Sequence, residues 1–594
     1  MDPLNEYTTR QDRWRAEQEL LQQRFIRIGN WRLVIGIAAA VLAWFIFAQH
    51  AIPLWTLLVP VVIFIGLAAW HQRVIRRRTL ATRAIQYYER GLARLADRWQ
   101  GTGSSGDAFR SEAHVYADDL DVFGKGSLFE LISTARTTMG ERTLASWLLH
   151  AAGCDEVRAR HAAVRELGGR LDVREDLALL GEDVRAELQP DGLVQWASGP
   201  PVNFHPVLRP LMLALAIAGV GSIVAFFAQV LPISVVIGVL VCDFVLKFLL
   251  RQRVEQVTEG VHAPADELNV LSLMLKRLEQ ETFESQRLRT LRSALEIRGL
   301  PASRRIAKLE RWIEWLDSGD HVLVRILRPI LLWEEQIAIG LEAWRRANGP
   351  HIGRWLSAVG EFEALSSVAS LAFERPQWVF PELNTDNRSH FEAEALQHPL
   401  MPAAKCVPND VRLDANLRLL IVSGSNMSGK STLLRSVGLA TVLAWAGAPV
   451  AAERLRISPL QPGASIRVTD SLQDNRSRFF AEITRIREIV DLTKNGRPVL
   501  FMLDELLSGT NSHDRRIGAA GIVRGLVHSG AIGLITTHDL ALADIEQDLG
   551  PASANVHFED QMVDGQMVFD YRLRPGVVAH SNALELMRAV GLEV

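Results

Sequence analysis

Leu417-Arg418-Leu419-Leu420-Ile421-Val422-Ser423 runs directly into Gly424-Ser425-Asn426-Met427-Ser428-Gly429-Lys430-Ser431-Thr432, and the helical apolar spacing of Leu433–Ala446 follows. This is the pattern G-x-x-x-x-G-K-S in the order strand, loop, helix. Small residues let consecutive backbone N–H groups wrap a phosphate chain at the positive end of a helix. Lys430 is expected to bridge the β- and γ-phosphates, and the Ser431 hydroxyl to ligate a divalent cation. A second apolar strand, Val499–Leu503, releases Asp504-Glu505 at its C-terminal end. That places one carboxylate to support the cation (Asp504) and one to polarise an attacking water (Glu505). A third strand ends at Thr537-His538-Asp539, where His538 is placed to sense the γ-phosphate.

Outward from this site, the 594 residues correspond to roughly three or four domains at about 150 residues each. The balance of 65 Lys+Arg against 68 Asp+Glu gives a net charge of −3, so no global basic field points to nucleic acid. With 48% apolar and 22% charged residues the chain is not mostly disordered. Cys154, Cys242 and Cys406 are too far apart in sequence for a disulfide framework or a metal cluster.

The apolar residues are unevenly spread. No charged residue lies between Arg32 and His71, a run split at His50-Ala51-Ile52-Pro53 into Leu33–Ala48 and Leu54–Trp70. A second uncharged run, Pro210–Cys242, turns at Gln229-Val230-Leu231-Pro232, and its last helix continues to Leu250. Each half approaches the roughly 20 residues that span a bilayer. Arg24, Arg27 and Arg32 precede the first hairpin and Arg73, Arg76, Arg77, Arg78 and Arg83 follow it, while neither turn carries Lys or Arg. Four transmembrane helices with both termini on the cytoplasmic side of a bacterial inner membrane are expected; two buried hairpins of a large soluble core are the alternative. The mostly polar residues ahead of Trp31 disfavour a cleaved signal peptide. Asp243 and Lys247, four apart on one helix, read as a self-neutralising pair, or otherwise as part of a transport path. Gln100–Asp107 reads as a flexible linker. Apolar spacing predicts helices over Leu128–Leu149 and Val254–Ala347, interrupted only at Pro264, Pro301 and Pro329. Long polar-faced helices of this kind usually form levers, bundles or dimer arms.

The Asn-Met pair inside the phosphate loop resembles the loop of the MutS family of mismatch-repair ATPases. Further segments resemble that family in the same order. They are Gln397-His398-Pro399-Leu400, Val407-Pro408-Asn409-Asp410, the stretch from Asp470 to Glu482, Ser508-Gly509-Thr510-Asn511-Ser512, Thr537-His538 and Asn555-Val556-His557. Upstream, Leu120-Asp121-Val122-Phe123-Gly124 and Thr138-Met139-Gly140-Glu141-Arg142 are similar to the start of the family's helical core, and Gly360–Ser367 to its return into the ATPase. The resemblance covers about Asp118 to Leu592 and implies an α/β P-loop NTPase domain, of the ABC-type MutS kind, with an all-α lever/core domain. To these the two transmembrane hairpins are added. It also implies ATP and Mg2+, a homodimer closing on ATP, and Ser477 reaching the γ-phosphate of the partner subunit. Tyr571 is placed on the adenine ring, and Cys406 stands where another aromatic often stacks. Leu507-Ser508 stands in place of the family's Gly-Arg, and Ala583 in place of a glycine.

The expected division is 1–30 N-terminal segment, 31–72 first hairpin, 73–107 juxtamembrane helix and linker, and 108–206 helical core. It continues with 207–251 second hairpin, 252–380 lever and 381–594 ATPase. No segment ahead of Asp118 resembles the mismatch-reading domain, the clamp has no clear counterpart, and a C-terminal DNA-binding helix-turn-helix is not expected. The chain therefore looks like a membrane-anchored MutS-like ATPase acting on DNA, on membrane lipid or on an unknown protein partner. The basic run Arg73–Arg78 suits DNA phosphates and anionic lipid alike. An ATP-driven transport subunit and a nucleotide-gated scaffold are the rival readings.

Overall fold

A computed structural model of the chain describes residues 2–49, 53–111, 113–181, 190–258, 265–317, 328, 330–386, 388–467, 478–507, 511–537, 545–563 and 566–578. They fall into two units, one made of Met1–Ser104 with Phe373–Pro376, the other of Ser105–Ala372 with Gln377–Val594.

The first unit is a long helical hairpin. Its first helix, Pro3–Phe47, begins at Asp2, whose carboxylate accepts the Leu4 N–H at 3.2 Å, with Pro3 in the first turn, where the missing N–H costs nothing. Its second helix is Leu58–Leu95. Gln18 Nε2 donates to Thr82 Oγ1 at 2.8 Å, the Phe25 and His71 rings lie 4.6 Å apart, and Arg32 sits over Phe64. The partners retreat along the second helix as the first advances, so the two run antiparallel. Leu21, Ile28, Val74 and Ala81 close the seam. At the end remote from the turn, Tyr7, Arg94 and Glu374 form a buried polar cluster. Tyr7 Oη donates to Glu374 Oε1 at 3.0 Å, and Arg94 donates to the same carboxylate through Nε at 2.6 Å and Nη2 at 2.5 Å.

In the second unit, helices Leu208–Phe227 and Ile233–Thr258 form another apolar hairpin, with Gln229 left-handed (φ 58°) at the reversal. Within each hairpin the most apolar stretches are 6–22% buried, whereas the comparably apolar helix Trp333–Glu374 is 78% buried. The hairpins are therefore not covered as core helices are. The expected Asp243–Lys247 pair does not form. Lys247 Nζ lies 3.6 Å from Glu334 Oε2, and both Asp243 carboxylate oxygens are buried with no hydrogen-bond partner among the described residues. The short Asp243 side chain stays at the seam beside Gly219, while the longer lysine reaches outward to a carboxylate on another helix.

Two other expectations change. The segment read as a flexible linker is pinned from Ser105 onward: Gly124 N–H donates to Ser105 O at 2.8 Å. Gly106 (φ 69°) lies against Phe123 and Phe129, where a Cβ would meet Phe129 Cδ1 at 2.7 Å. The helical stretch expected to run to Ala347 also does not stop there, since helix Trp333–Glu374 crosses Pro350. The hydrogen bond lost at the proline is outweighed by burial of Trp355, Val359, Phe362 and Leu365 along the same helix.

The two segments likened to the start and return of a helical core meet in space. Glu363 accepts the N–H groups of Arg136 at 2.9 Å and Thr137 at 3.2 Å, and the Thr137 hydroxyl. Gly360 lets helix Trp333–Glu374 approach closely, since a Cβ there would lie 2.8 Å from Met139 O. Burial pushes the Glu363 carboxyl up to about 7, against the hydrogen bonds that favour its charged form. Folding thus takes up a proton between the ordinary 4.5 and about 7, so the stability this group contributes is full below pH 4.5 and is lost as pH rises to 7. The change is on the order of 3 kcal/mol. Thermal melts from pH 5 to 8 are expected to show this downward slope, and Glu363→Gln to flatten it; an unchanged slope in the variant would assign it to other groups.

The sheet that carries the glycine-rich loop Gly424–Thr432 has six strands. In chain order, β1 (Glu296–Ile297) and β2 (Leu300–Pro301) form a small hairpin among the helices. β3 (Glu382–Leu383), β4 (Phe391–Leu396), β5 (Asn409–Leu413) and β7 (Arg454–Ile457) make a four-stranded sheet in the order β3-β7-β4-β5. β6 (Leu419–Ser423), β8 (Gln461–Ser465), β9 (Val499–Leu503), β10 (Ile532–Thr537), β11 (Ser553–Val563) and β12 (Gln566–Pro575) are ordered β12-β11-β6-β10-β9-β8. β8, β9, β10, β6 and β11 are parallel and β12 is antiparallel to β11. β6, β9 and β10 are wholly buried, which is why they read as continuous apolar runs rather than alternating ones.

Candidate nucleotide site

Parallel registry brings the C-terminal ends of β6, β9 and β10 together, the edge at which open α/β sheets bind ligands. β6 ends at Ser423, and the loop that follows must turn back on itself to start helix Lys430–Ala446. Gly424 (φ 148°) and Gly429 (φ 108°) make that turn, since a Cβ on Gly424 would press to 2.8 Å from Ser428 Oγ. Met427 is left-handed at φ 68° and 85% exposed, so its side chain packs against nothing inside the loop.

Within the loop, Lys430 is buried, and its Nζ donates to Gly424 O at 2.9 Å and Ser425 O at 2.8 Å. Burial pushes the Lys430 ammonium below the ordinary lysine range, and the charges of Glu505 and Asp504 pull it back up. The hydroxyls of Ser425 and Ser428 are buried with no hydrogen-bond partner among the described residues, two unsatisfied polar groups in the loop wall.

The next helical residue ties the loop to the neighbouring strand: Ser431 Oγ donates to Asp504 Oδ2 at 2.5 Å. Asp504 Oδ1 accepts the hydroxyl of Thr536, which in turn accepts the Glu505 N–H at 3.0 Å. Asp504 N–H donates to Ser465 O at 2.9 Å. Glu505 and Leu507 are both left-handed (φ 48° and 57°), a costly conformation for residues with a Cβ. The turn is secured by Leu507 N–H donating to the buried Glu482 carboxylate at 2.6 Å. Glu505 is thereby exposed into the cavity rather than packed in the core.

That cavity is about 710 Å³, within the usual size for a small-molecule site. Asn426, Lys430, Ser431 and Glu505 line its polar part, and Cys406 and Tyr571 line another wall. Tyr571 is also left-handed (φ 55°), and its ring would lie 3.3 Å from a Cβ placed on Gly429. Asn409 holds it there, donating to Tyr571 O at 3.0 Å and accepting the Leu573 N–H at 2.6 Å. Cys406 Sγ accepts the His398 N–H at 3.2 Å, and burial, with Arg435 nearby, holds the His398 imidazole down at about 4, so it stays neutral. Thr536 and Asn409 were not singled out as site residues in the sequence. The only signal for Thr536 was a hydroxyl residue at the end of an otherwise apolar strand. Ser477 and His538, together with Ser508-Gly509-Thr510 and Ala583, lie outside the described residues.

Residues 420–593 match the family model of MutS domain V. The domain V match thus begins in β6 and takes in the loop, Asp504, Glu505 and Tyr571. Similarity extends beyond it. The DNA mismatch repair protein MutS of Myxococcus xanthus is 28% identical over 531 residues, 82% of this chain and 58% of that protein. The MutS of Bacillus subtilis is 24% identical over 510 residues, 79% of this chain and 58% of that protein. Endonuclease MutS2 of Thermus thermophilus is 32% identical over 260 residues, 42% of this chain and 32% of that protein. The chain thus spans little more than half the length of the curated MutS relatives it matches.

Proposed function

We propose that this chain is a membrane-anchored, MutS-like ATPase that works as a homodimer. The observation that carries the reading is the hydrogen-bonded network Ser431–Asp504–Thr536–Glu505 beneath a glycine-rich loop in which the Ser425 and Ser428 hydroxyls are buried with no hydrogen-bond partner among the described residues. The donor set fits MgATP. The Ser431 hydroxyl and the Asp504 carboxylate are hard oxygen ligands of the kind Mg2+ takes, and the loop offers N–H groups, hydroxyls and an ammonium to phosphate oxygens. When bound, Mg2+ supplies charge neutralisation for phosphoryl transfer. Lys430 exchanges the carbonyls of Gly424 and Ser425 for phosphate oxygens, Glu505 orients water, and Tyr571 stacks on the base. Ser477 and His538 complete the γ-phosphate contacts, Ser477 from across the dimer. The two hairpins hold the chain in a bilayer with the arginine-rich ends cytoplasmic. The relatives named for DNA mismatch repair and for endonuclease activity support DNA as the partner on which the lever helices act.

The test is the ATPase rate of the detergent-purified full chain, with and without mismatched, branched and homoduplex DNA at fixed moderate salt. Mg2+-dependent hydrolysis is expected, reduced about a hundredfold or more in Lys430→Ala, since that variant loses a charged phosphate contact used in the transition state. DNA stimulation that survives rising salt is expected. A rate indifferent to every DNA, with no binding, would move the partner from nucleic acid to lipid or protein.

A further inference from the structure

We propose that the first hairpin carries a binding groove for an anionic phospholipid on its cytoplasmic half. This rests on the membrane reading above and adds a defined lipid site to it. The groove, about 810 Å³, opens along the face of helix Pro3–Phe47 that bears Gly29, Gly36 and Ala40. Positions seven and four apart share a helix face, and a Cβ added at Gly29 or Gly36 meets nothing within 4 Å.

Its two ends differ in chemistry. Toward the turn the walls are apolar, with Leu33, Ile37 and Phe64. Arg32 stands midway along the groove over Phe64, and His71 at the end remote from the turn beside Phe25. Arg32 Cζ lies 5.0 Å above Phe64, and the His71 ring is 4.6 Å from Phe25. Arg32 Nε and His71 Nδ1 are buried with no hydrogen-bond partner among the described residues. An apolar trough that leads to an arginine and a histidine matches an acyl chain joined to a phosphate.

Charge decides between possible occupants. From Leu20 to Tyr88 there is no Asp or Glu, whereas Arg24, Arg27, Arg32, Arg73, Arg76, Arg77, Arg78 and Arg83 all fall there. Arg24, Arg27, Arg73, Arg76 and Arg77 are exposed. A second copy of the hairpin seated on this face would bring a second set of arginines against the first, and like charges repel. An anionic headgroup neutralises them, and a zwitterionic one does so less.

The experiment uses the full chain, purified in mild detergent and delipidated, then incubated with palmitoyl-oleoyl phosphatidylglycerol or the corresponding phosphatidylcholine. Retained lipid is counted by native mass spectrometry. The wild type is expected to retain phosphatidylglycerol over phosphatidylcholine by about tenfold. Gly36→Leu, which fills the trough, and Arg32→Gln, which removes the cation, are each expected to lower that retention about tenfold, the effect of losing one charge-assisted contact or its apolar equivalent. Equal retention of the two lipids, or variants that keep phosphatidylglycerol as the wild type does, overturns the groove. So does efficient disulfide cross-linking between two copies of Gly36→Cys. Carbonate washing of membranes carrying the same proteins reads the membrane placement separately. Release of the wild type overturns that placement, whereas variants that stay in the pellet yet keep their lipid overturn the groove alone.

Discussion

Glu505→Gln is expected to lower steady-state ATP hydrolysis by the full chain about a hundredfold or more while leaving ATP bound. The amide keeps the size of the side chain but cannot take a proton from water, and general-base assistance typically supplies 10²–10⁴-fold. The structure separates this role from the scaffold. Glu505 anchors the turn through its backbone N–H to Thr536, and its side chain is exposed into the cavity, so the substitution leaves the Ser431–Asp504–Thr536 network intact. ATP affinity, carried by Lys430 and the loop, is expected to change little. Because hydrolysis is what reopens the proposed dimer, the variant with MgATP is expected to accumulate as a closed dimer in sizing or cross-linking. Normal turnover in this variant would refute the assignment of Glu505 as the water-orienting base.

Glu374→Ala is expected to cost about 3–5 kcal/mol of stability in the first unit, the usual penalty for leaving one member of a buried ion pair without its partner. Arg94 is 7% exposed and Tyr7 1%, and both direct their polar atoms at the one carboxylate that the variant deletes. Tyr7 has no room to move away, because its ring lies against Gly91, where a Cβ would be 2.5 Å from Cε2. The buried Arg94 guanidinium would lose both of its hydrogen bonds to that carboxylate. Thermal unfolding of the solubilised chain and protease sensitivity of the segment ahead of Trp31 measure the loss. Replacing Arg94 by Met together with Glu374 by Leu is expected to recover much of it, since a matched apolar pair leaves no orphaned charge. If Glu374→Ala melts as the wild type does, the cluster does not hold the hairpin base together.

Much of the candidate site's lining was legible in the chain because its residues are local. A phosphate loop needs glycines, a lysine and a hydroxyl within a few residues, and two carboxylates at the end of a strand are likewise contiguous. Tyr571 and Cys406 were placed by family resemblance alone, and both line the cavity. Thr536 and Asn409 were not assigned to the site because their roles exist only once β10 lies beside β9 and β5 beside β12. Asp243 and Lys247 were misjudged for the same reason: spacing on one helix showed that they share a face, but not that Glu334 on another helix would claim the lysine. The supposed linker at Gly106 looked flexible by composition, and its glycine turned out to be needed for close packing against two phenylalanines.

The sequence by itself determined the elements whose signal is carried by neighbours in the chain. These are the phosphate loop, the carboxylate pair, the two uncharged hairpins with their flanking arginines, and the order of family-like segments. Tertiary structure alone decided which distant groups meet. It joined Glu363 to Thr137 across the core, gathered Tyr7, Arg94 and Glu374 into one cluster, and linked Ser431 through Asp504 to Thr536. The physical reason is burial. A polar group removed from water must find its partner wherever the fold brings one, and that partner's position in the chain leaves no mark on the local pattern.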